Sequence, residues 1–252
     1  MIKVGIIGGS GLDDPTILKE AEDLEIETEY GNPSSTLKLG TIEGIHVAIL
    51  ARHGKMHTIP PTHVNNRANI TALKKVGCTH ILTSSAVGSL REEIGRGDLV
   101  ILDQFIDFTR LRHLTFHDTF EPYNAVHTAM SEPFDKDLRQ ALISSAEELG
   151  IRFHKTGTVI SIEGPRFSTR AESKMFRMWG ADVINMSIAP ECALANEANI
   201  PYAAVAMSTD YDCWKTDEAP VTWDEILKIF SRNVDKMIRL MLLTVPKIAK
   251  FQ

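Results

Sequence analysis

The sequence predicts a single α/β domain, and three observations lead to this fold class. The chain has 252 residues, a length that suits one large domain and does not require two. Short apolar runs alternate with segments of helical spacing, an order typical of a largely parallel or mixed sheet covered by helices. The sequence also lacks the repeats, low-complexity tracts and Pro/Gly/Ser-rich linkers that would mark a boundary. One domain spanning residues 1–252 is therefore expected.

The individual elements follow from local patterns. Apolar runs predict strands at residues 3–7, 37–42, 47–51, 80–84, 99–105, 158–162, 183–186 and 203–207. Helical spacing predicts helices at approximately residues 64–75, 136–149, 170–179, 190–198 and 223–245. The last helix has the clearest pattern, because one face carries Ile226, Ile229, Phe230, Val234, Met237, Leu240 and Met241.

The stretch between Phe108 and Phe134 fits neither pattern. Its residues 110–118 are aromatic, basic and aperiodic. A loop of this length in a compact domain is usually functional or lies at an interface, which favours a lid or a contact with another subunit. A mobile excursion without a role is the alternative.

Composition excludes several function classes. The net charge of −6 argues against a general nucleic-acid binder, which needs clustered excess Lys and Arg. No apolar run approaches the ~18 residues of a membrane span, and a signal peptide is not expected. Cys78, Cys192 and Cys213 are odd in number and lack Cys-x-x-Cys spacing. They are therefore expected to be reduced thiols of a cytoplasmic protein, without structural zinc.

The most informative motif is an acidic pair that follows a predicted strand. Asp210 and Asp212 come just after the apolar run 202–207, where α/β strands usually present chemistry. A carboxyl group that holds a proton can donate to a ring nitrogen while its other oxygen accepts from an amino group. This is the pattern on one edge of adenine. The alternative is a solvated acidic turn, because exposed Asp is common.

Three further segments that follow predicted strands are suited to an anion. The glycines at positions 8, 9 and 11 let backbone N–H groups converge on an anion, and Ser10 between them adds a hydroxyl. The glycine spacing fits neither a dinucleotide fingerprint nor a P-loop. Arg52 offers a planar fork for phosphate oxygens and His53 another donor. Hydroxyls and small residues fill 83–89, where ordinary turn chemistry is the alternative. A metal site at His53 and His57 is disfavoured, because Gly54 intervenes and a Pro-Pro pair follows.

These motifs together resemble a known family. The runs at residues 5–12, 51–54, 162–168, 179–186 and 208–214 are similar to the trimeric purine nucleoside phosphorylases, in particular to members acting on 5′-methylthioadenosine. The similarity extends from about residue 3 to the last helix. It implies one α/β domain with a central mixed sheet flanked by helices. It also implies a homotrimer whose active sites lie close to subunit contacts.

The resemblance assigns an activity. The expected reaction is phosphate-dependent cleavage of the N-glycosidic bond of 5′-methylthioadenosine to adenine and 5-methylthioribose 1-phosphate. This is a pentosyltransferase activity of purine salvage. Inorganic phosphate is the co-substrate, and neither a metal nor an organic cofactor is expected. A nucleoside-binding protein without turnover is the rival from another class, and a nicotinamide-dependent oxidoreductase is disfavoured by the glycine spacing.

The resemblance also assigns roles to matching positions. The residues that would hold phosphate are Ser10, Arg52, His53, Ser85, Ala86 and Ser187. Those that would surround the base are Phe167, Ser168, Thr209, Asp210 and Asp212. The ribose and its 5′ substituent would contact Met186, Trp223, Ile226 and Leu227, together with a His127 that a neighbouring subunit contributes.

Asp210 is the expected proton donor to N7 of the leaving base. A free Asp, with a pKa near 3.9, is ionised at neutral pH, so burial against Phe167 and Met186 would have to raise its pKa. Asp212 would either share the amino-group contact or hold Asp210 in place. Relatives that act on 6-oxopurines carry Asn at the Asp210 position and Glu at the Ser168 position, which favours a 6-aminopurine here.

Two departures from the family pattern affect the prediction. Ser85 and Ser187 stand where Thr is common, a change that keeps the hydroxyl. Trp223 stands where a smaller apolar residue is common in the methylthio pocket. If its indole faces the ligand, the alternative is a phosphorylase that prefers adenosine or methylthioinosine.

Overall fold

A computed structural model of the chain describes residues 1–8, 17–217 and 222–250. The strands in this part are β1 (Lys3–Gly8), β2 (Lys19–Leu24), β3 (Leu37–Ile42), β4 (Ile45–Ala51), β5 (His80–Ser89), β6 (Leu99–Ile101), β7 (Gln104–Phe108), β8 (Phe153–His154), β9 (Thr158–Ile162), β10 (Val183–Asn185) and β11 (Tyr202–Asp210). The α-helices are α1 (Asn66–Lys75), α2 (Lys136–Glu148), α3 (Arg170–Met178), α4 (Ile188–Glu197) and α5 (Trp223–Ile248).

The strands form one mixed sheet, as the sequence predicts. The order is β2-β3-β4-β1-β5-β10-β9-β7, and β11, β6 and β8 form a branch from β5. Strands β4, β1, β5 and β11 are parallel neighbours, so their carboxyl ends meet at the same edge of the sheet. Strand β10 pairs with β5 in the antiparallel direction. The polar segments that follow these strands are therefore brought together at one place.

Helices cover both faces of the sheet and bury two apolar clusters. On one face, α2 and α5 contribute Leu138, Leu142, Met237, Leu240 and Met241 to the core. On the other face, the core contains residues of α1 and α4, which are mostly small or aliphatic. The apolar stripe predicted for the last helix is confirmed, because Met237, Leu240 and Met241 are at most 1% exposed.

The prediction of one strand at residues 99–105 is wrong, since the segment forms two strands with different partners. β6 pairs with β11 and β8, whereas β7 pairs with β9. Between them the N–H of Leu102 donates to the carbonyl of Ala204, and the N–H of Asp103 donates to the carbonyl of Gly157. The apolar run continues through the crossing because Leu102 is itself buried, so hydrophobicity alone does not reveal the break.

Two strands have no sequence signal, and two others are longer than predicted. All six residues of β2 are exposed, and β8 contains only two residues, so neither shows apolar alternation. Strand β5 continues to Ser89 through a hydroxyl- and glycine-rich stretch that is typical of turns. It stays extended because β10 and β11 pair with it on both sides. Strand β11 likewise continues to Asp210.

Candidate active site

A cavity of about 180 Å³ opens at the carboxyl ends of β4, β5 and β11, beside β9 and β10. Its volume is far larger than a single water molecule needs. The residues that line it are Arg52, His53, His57, Pro61, Ser85, Ala86, Val87, Gly88, Ile162, Phe167, Ser168, Ile184, Asn185, Met186, Ser187, Thr209, Asp210, Asp212 and Ile226. Most of the residues predicted for phosphate and base therefore share one continuous space.

Arg52 is buried at one end of the cavity and is held by three partners. Its Nε and Nη2 pair with the carboxylate of Glu191, with Nη2 3.1 Å from Oε2. Nη2 also donates to the Thr83 hydroxyl at 2.5 Å, and Nη1 donates to the Ser84 carbonyl at 3.0 Å. Burial opposes the guanidinium charge, but Glu191 outweighs this effect and raises the pKa of Arg52. The Arg52 fork is therefore fixed in place, and its charge is countered by a buried carboxylate.

His53 lies next to Arg52 and is neutral. Its Nδ1 is 2.9 Å from the carbonyl oxygen of Ile59. Burial, followed by the Arg52 charge, lowers the pKa of His53 to about 4. The ring of His57 stacks on it, with the ring centroids 4.5 Å apart. The described residues contain no group of three or more His, Cys, Asp or Glu side chains placed to hold a metal ion.

Hydroxyl groups and a helix N-terminus lie beside this pair. The amide of Asn185 donates to Ser85 Oγ at 3.1 Å, and Ser85 Oγ is 3.5 Å from Ser187 Oγ. Ser187 directly precedes α4 and makes no side-chain cap to it. The N–H groups of Ser187 and Ala189 already donate to Asn185 Oδ1 and Ser161 Oγ, so this end of α4 adds its dipole and not a row of free donors. Ala86, the remaining described residue predicted for phosphate, lines the same wall.

Asp210 lies at the opposite end of the cavity, at the last residue of β11, and is 9% exposed. Its Oδ1 accepts the backbone N–H of Asp212 at 2.8 Å, and its Oδ2 accepts the hydroxyl of Thr209 at 2.8 Å. These donors favour the carboxylate, but burial has the larger effect and raises the pKa of Asp210 to about 6. The solvated acidic turn is thereby excluded for Asp210.

Asp212 supports Asp210 through its backbone, while its side chain faces Ser168. The Ser168 hydroxyl lies 2.7 Å from both carboxylate oxygens of Asp212. Burial raises the pKa of Asp212 above its usual range. Of the two roles considered for Asp212, the one that holds Asp210 in place has direct geometric support. Ser168, predicted beside the base, positions Asp212 in this arrangement.

Apolar side chains also line the cavity. Met186, Ile162, Ile184 and Ile226 add apolar surface to the cavity lining. The faces of a planar base and the carbon atoms of a sugar can pack against such surfaces. Phe167 is 42% exposed, so it lies at the cavity mouth.

The loop at residues 110–118 is attached to the cavity wall by Arg112. The side chain of Arg112 is 1% exposed and donates to Glu163 Oε1 at 2.7 Å, to the Glu163 carbonyl at 2.6 Å and to the Met186 carbonyl at 3.1 Å. Glu163 in turn accepts the N–H groups of Arg110 and Leu111. Farther along, Arg67 pairs with Asp118. These contacts argue against a mobile excursion for residues 110–118, whereas residues 119–129 of the same stretch are exposed.

Four predicted site residues are not brought into the described cavity. Ser10 lies outside the described residues, as does the side chain of Trp223, which is described only as the first residue of α5. Leu227, on the first turn of α5, does not line the cavity, whereas Ile226 does. His127 lies in an exposed segment and contacts the ring of Phe120, with centroids 5.9 Å apart.

Sequence reasoning missed three groups that shape the site. Glu191 and Asn185 are buried polar residues that hold Arg52 and Ser85, and Arg112 holds the 110–118 loop. A polar residue inside an apolar helix pattern, such as Glu191 in α4, is the signal that could have identified the first of them. No helix among the described residues is long and apolar enough to cross a membrane.

Comparison with known proteins gives consistent relatives. The sequence profile of the phosphorylase superfamily matches residues 3–245. The S-methyl-5′-thioadenosine phosphorylase of Danio rerio is 51% identical over 251 residues, which covers 99% of this chain and 90% of that protein. The corresponding protein of Xenopus tropicalis is 54% identical over 251 residues, covering 98% and 89%.

Solved structures show the same fold. The methylthioadenosine phosphorylase of Schistosoma mansoni in complex with adenine has a TM-score of 0.94 and 40% identity, covering all of this chain and 93% of its own. A single-residue mutant of the adenosine/methylthioadenosine phosphorylase of the same organism, in complex with methylthioadenosine, has a TM-score of 0.93 and 40% identity, with the same coverage.

Proposed function

The chain belongs to the phosphorylase superfamily, and from this premise we propose that it cleaves 5′-methylthioadenosine with inorganic phosphate. The products are adenine and 5-methylthioribose 1-phosphate. Relatives at about half identity over nearly the whole chain carry this activity in their names, and a structural neighbour binds methylthioadenosine. The enzyme is a pentosyltransferase specific for a 6-aminopurine.

One observation carries the proposal. A buried acid with a raised pKa, Asp210, shares a cavity with a set of anion donors around Arg52 and Ser85. Apolar side chains line the same cavity. A nucleoside with its base at Asp210 would present its sugar toward the anion donors. A nucleoside-binding protein without turnover would not require both a proton donor and an anion site.

Phosphate is held by Arg52, His53, Ser85, Ala86 and Ser187 in this proposal. The fork of Arg52 is pre-oriented by its buried partners, so little side-chain freedom is lost when the anion binds. Positioning phosphate beneath the sugar converts a bimolecular attack into a local one, an effect that is large in well-aligned systems. A phosphate oxygen forms the new bond to the anomeric carbon as the bond to the base breaks.

Asp210 assists the leaving base. The electron pair of the breaking glycosidic bond moves into the purine, and the proton of Asp210 is transferred to N7. A carboxyl with a pKa of about 6 is a far better donor at neutral pH than an ordinary Asp, because about a tenth of it still carries the proton at pH 7, against about a thousandth for an ordinary Asp. Afterwards Asp210 is a carboxylate and regains a proton from solvent. By analogy with glycoside hydrolysis, the sugar carbon gains positive charge in the transition state.

We also propose that the enzyme is a cytoplasmic homotrimer of purine salvage with shared active sites and without a metal or organic cofactor. Residues 118–129 are all exposed and include Phe120, Tyr123 and Val126, which favours a subunit contact there. His127 belongs to this segment and would reach a neighbouring cavity. Three free cysteines suit a reducing compartment.

The test is release of free adenine from methylthioadenosine with and without phosphate. The expected result is a strict dependence on phosphate and the formation of a ribose 1-phosphate product. Adenine release without phosphate would indicate a hydrolase, and no release under either condition would contradict the proposal. Parallel assays with adenosine and methylthioinosine examine the 5′ pocket, because an efficiency for either that exceeds that for methylthioadenosine would replace the proposed substrate.

A further inference from the structure

The hydrogen bond between His53 and Ile59 fixes which ring nitrogen carries the proton. The partner of Nδ1 is a backbone carbonyl, which can only accept. Nδ1 must therefore be the donor, at 2.9 Å from the carbonyl oxygen. In a neutral imidazole the other nitrogen, Nε2, then has no hydrogen and presents a lone pair. His53 lines the cavity at its anion end.

The groups around His53 keep it neutral. Arg52 is its neighbour in sequence, His57 stacks on its ring, and Arg112 adds a more distant positive charge. Each of these opposes protonation, and burial does so more strongly. The nearest buried carboxylate, on Glu191, is already paired with Arg52. No described acidic side chain is hydrogen-bonded to the His53 ring, so a second proton has no stabilising partner before an anion binds.

We propose that His53 sets the anion specificity of the site by accepting an O–H from the bound anion. This inference rests on the proposed function, in which phosphate is the co-substrate. Phosphate and arsenate both carry at least one proton at neutral pH and can donate to Nε2. Sulfate has a similar size and shape but carries no proton, so its oxygen would face the lone pair of His53.

The rest of the anion end is consistent with this selection. Among the described residues, the charge of Arg52 is balanced by Glu191, so anion binding there depends on hydrogen bonding as well as on charge. The hydroxyls of Ser85 and Ser187 are further potential donors in the described part of the chain. A site of this kind discriminates by matching donors to acceptors, because a mismatched buried pair leaves both groups unsatisfied.

The test is direct calorimetric titration of the protein with phosphate, arsenate and sulfate at pH 8, in the presence of adenine and without turnover. Phosphate and arsenate are expected to bind with similar affinity, and sulfate at least about 100-fold more weakly. Lowering the pH from 8 to 6 is expected to strengthen sulfate binding relative to phosphate binding, because bound sulfate favours the protonated His53, which can donate to it. Phosphate binding should change much less.

The variant His53→Gln provides a second measurement. Its amide N–H can donate where the imidazole accepts, so sulfate and phosphate should bind within about tenfold of each other, without this pH dependence. His46→Gln is the matched control, because His46 is exposed and does not line the cavity, and it should keep both the discrimination and the pH slope. If the Gln variant does not fold, the pH slope of the unaltered protein still decides the outcome.

Two outcomes would overturn the proposal. One is sulfate binding within tenfold of phosphate at pH 8, and the other is a sulfate affinity that does not change with pH. Failure of the proposed function is distinguishable, because phosphate itself would then not bind and adenine release would not depend on it. Tight phosphate binding with equal sulfate binding leaves the function intact and removes the role of His53 in selection.

Discussion

At Asp210, burial opposes the carboxylate charge while the Asp212 amide and the Thr209 hydroxyl favour it. Burial is the larger effect, so about one tenth of Asp210 still carries its proton at pH 7. The two donors fix its orientation toward the cavity. The role of Asp210 as proton donor therefore depends on the balance between desolvation and hydrogen bonding.

Replacement of Asp210 by Asn is expected to lower kcat for methylthioadenosine by a factor of about 10²–10⁴, because the amide keeps the shape but cannot transfer a proton. Steady-state kinetics at saturating phosphate measures the effect. The matched control is Asp107→Asn, which alters a partly buried carboxylate of β7 that does not line the cavity. Activity within threefold of the original enzyme would exclude Asp210 from proton transfer.

The raised pKa of Asp210 also predicts the pH dependence. The protonated fraction falls as pH rises through about 6, so kcat/KM for the nucleoside should decrease above that pH by about tenfold per unit. A pH profile from 5 to 9 at saturating phosphate measures this limb. Asp210→Asn should flatten it. A limb that persists unchanged in the variant would belong to another group.

At the scale of elements, Asp210 of β11 can lie close to β5 at the base end of the site because Gly88 of β5 carries no side chain. A Cβ at Gly88 would lie 2.9 Å from Asp210 Oδ1 and 3.0 Å from Ile184 Cγ2. Gly88 also pairs with Asp210 where the β11 register shifts. The approach of the acid to β5 therefore requires glycine at this position.

The variant Gly88→Ala is expected to displace the Asp210 carboxylate, lowering kcat at least tenfold and destabilising the fold by roughly 1–3 kcal/mol. Gly95→Ala is the control, since a Cβ at Gly95 meets nothing closer than 3.6 Å. Kinetics and thermal unfolding should be measured on both variants. Equal kinetics for the two would show that the acid tolerates the added methyl group.

The 110–118 loop connects to the site through Arg112 and Glu163. Burial acts to raise the pKa of Glu163, but the Arg110 amide and the Arg112 guanidinium outweigh it and hold that pKa at about 2. The same guanidinium binds the carbonyl of Met186, whose side chain lines the cavity. The loop is thereby linked to the predicted ribose contact.

Arg112→Met should raise KM for the nucleoside by about tenfold, because the Met186 carbonyl and the Glu163 carboxylate lose a donor. KM for phosphate should stay within about twofold, since the anion end is intact. Arg110→Met is the matched control, because the Arg110 side chain packs over Phe108 instead of Glu163. An equal rise in both KM values would indicate general misfolding of the site.

The elements show which features sequence can predict. The helix α5 follows from periodicity because one face of it packs on the core, and β9 follows from an apolar run because four of its five residues are buried. The break between β6 and β7 could not be predicted, since it is set by which strand each half joins and not by its residues. Strand β2 has no buried face and therefore no pattern.

At the scale of the molecule, the acid and the described anion segments were predictable because each lies in the carboxyl-terminal half of a strand in the parallel part of the sheet or directly after one. The contacts that hold these residues in position could not be predicted. Asn185 donates to Ser85 across 100 positions of sequence, and Arg52 pairs with Glu191 across 139. Such contacts depend on the three-dimensional arrangement of β4, β5, β10 and α4. Single-sequence patterns carry no information about them.

In the proposed trimer, each active site would be built from residues of two subunits. Residues 118–129 expose apolar side chains beside His127. Burial of these side chains against a neighbouring subunit would be favourable. Each cavity would then combine Asp210 of one subunit with His127 of the next. A closed ring of three subunits repeats this heterologous contact at every interface.

Mixed assemblies test this sharing directly. Asp210→Asn and His127→Asp are each expected to be impaired alone, but their co-expressed mixture should regain activity, because about one quarter of the sites then combine an intact Asp210 with an intact His127. The control mixes Asp210→Asn with Met186→Ala, whose residues line the same subunit's cavity, so no intact site can form. Activity of the first mixture that equals the mean of its parents would mean that His127 does not cross to a neighbouring site.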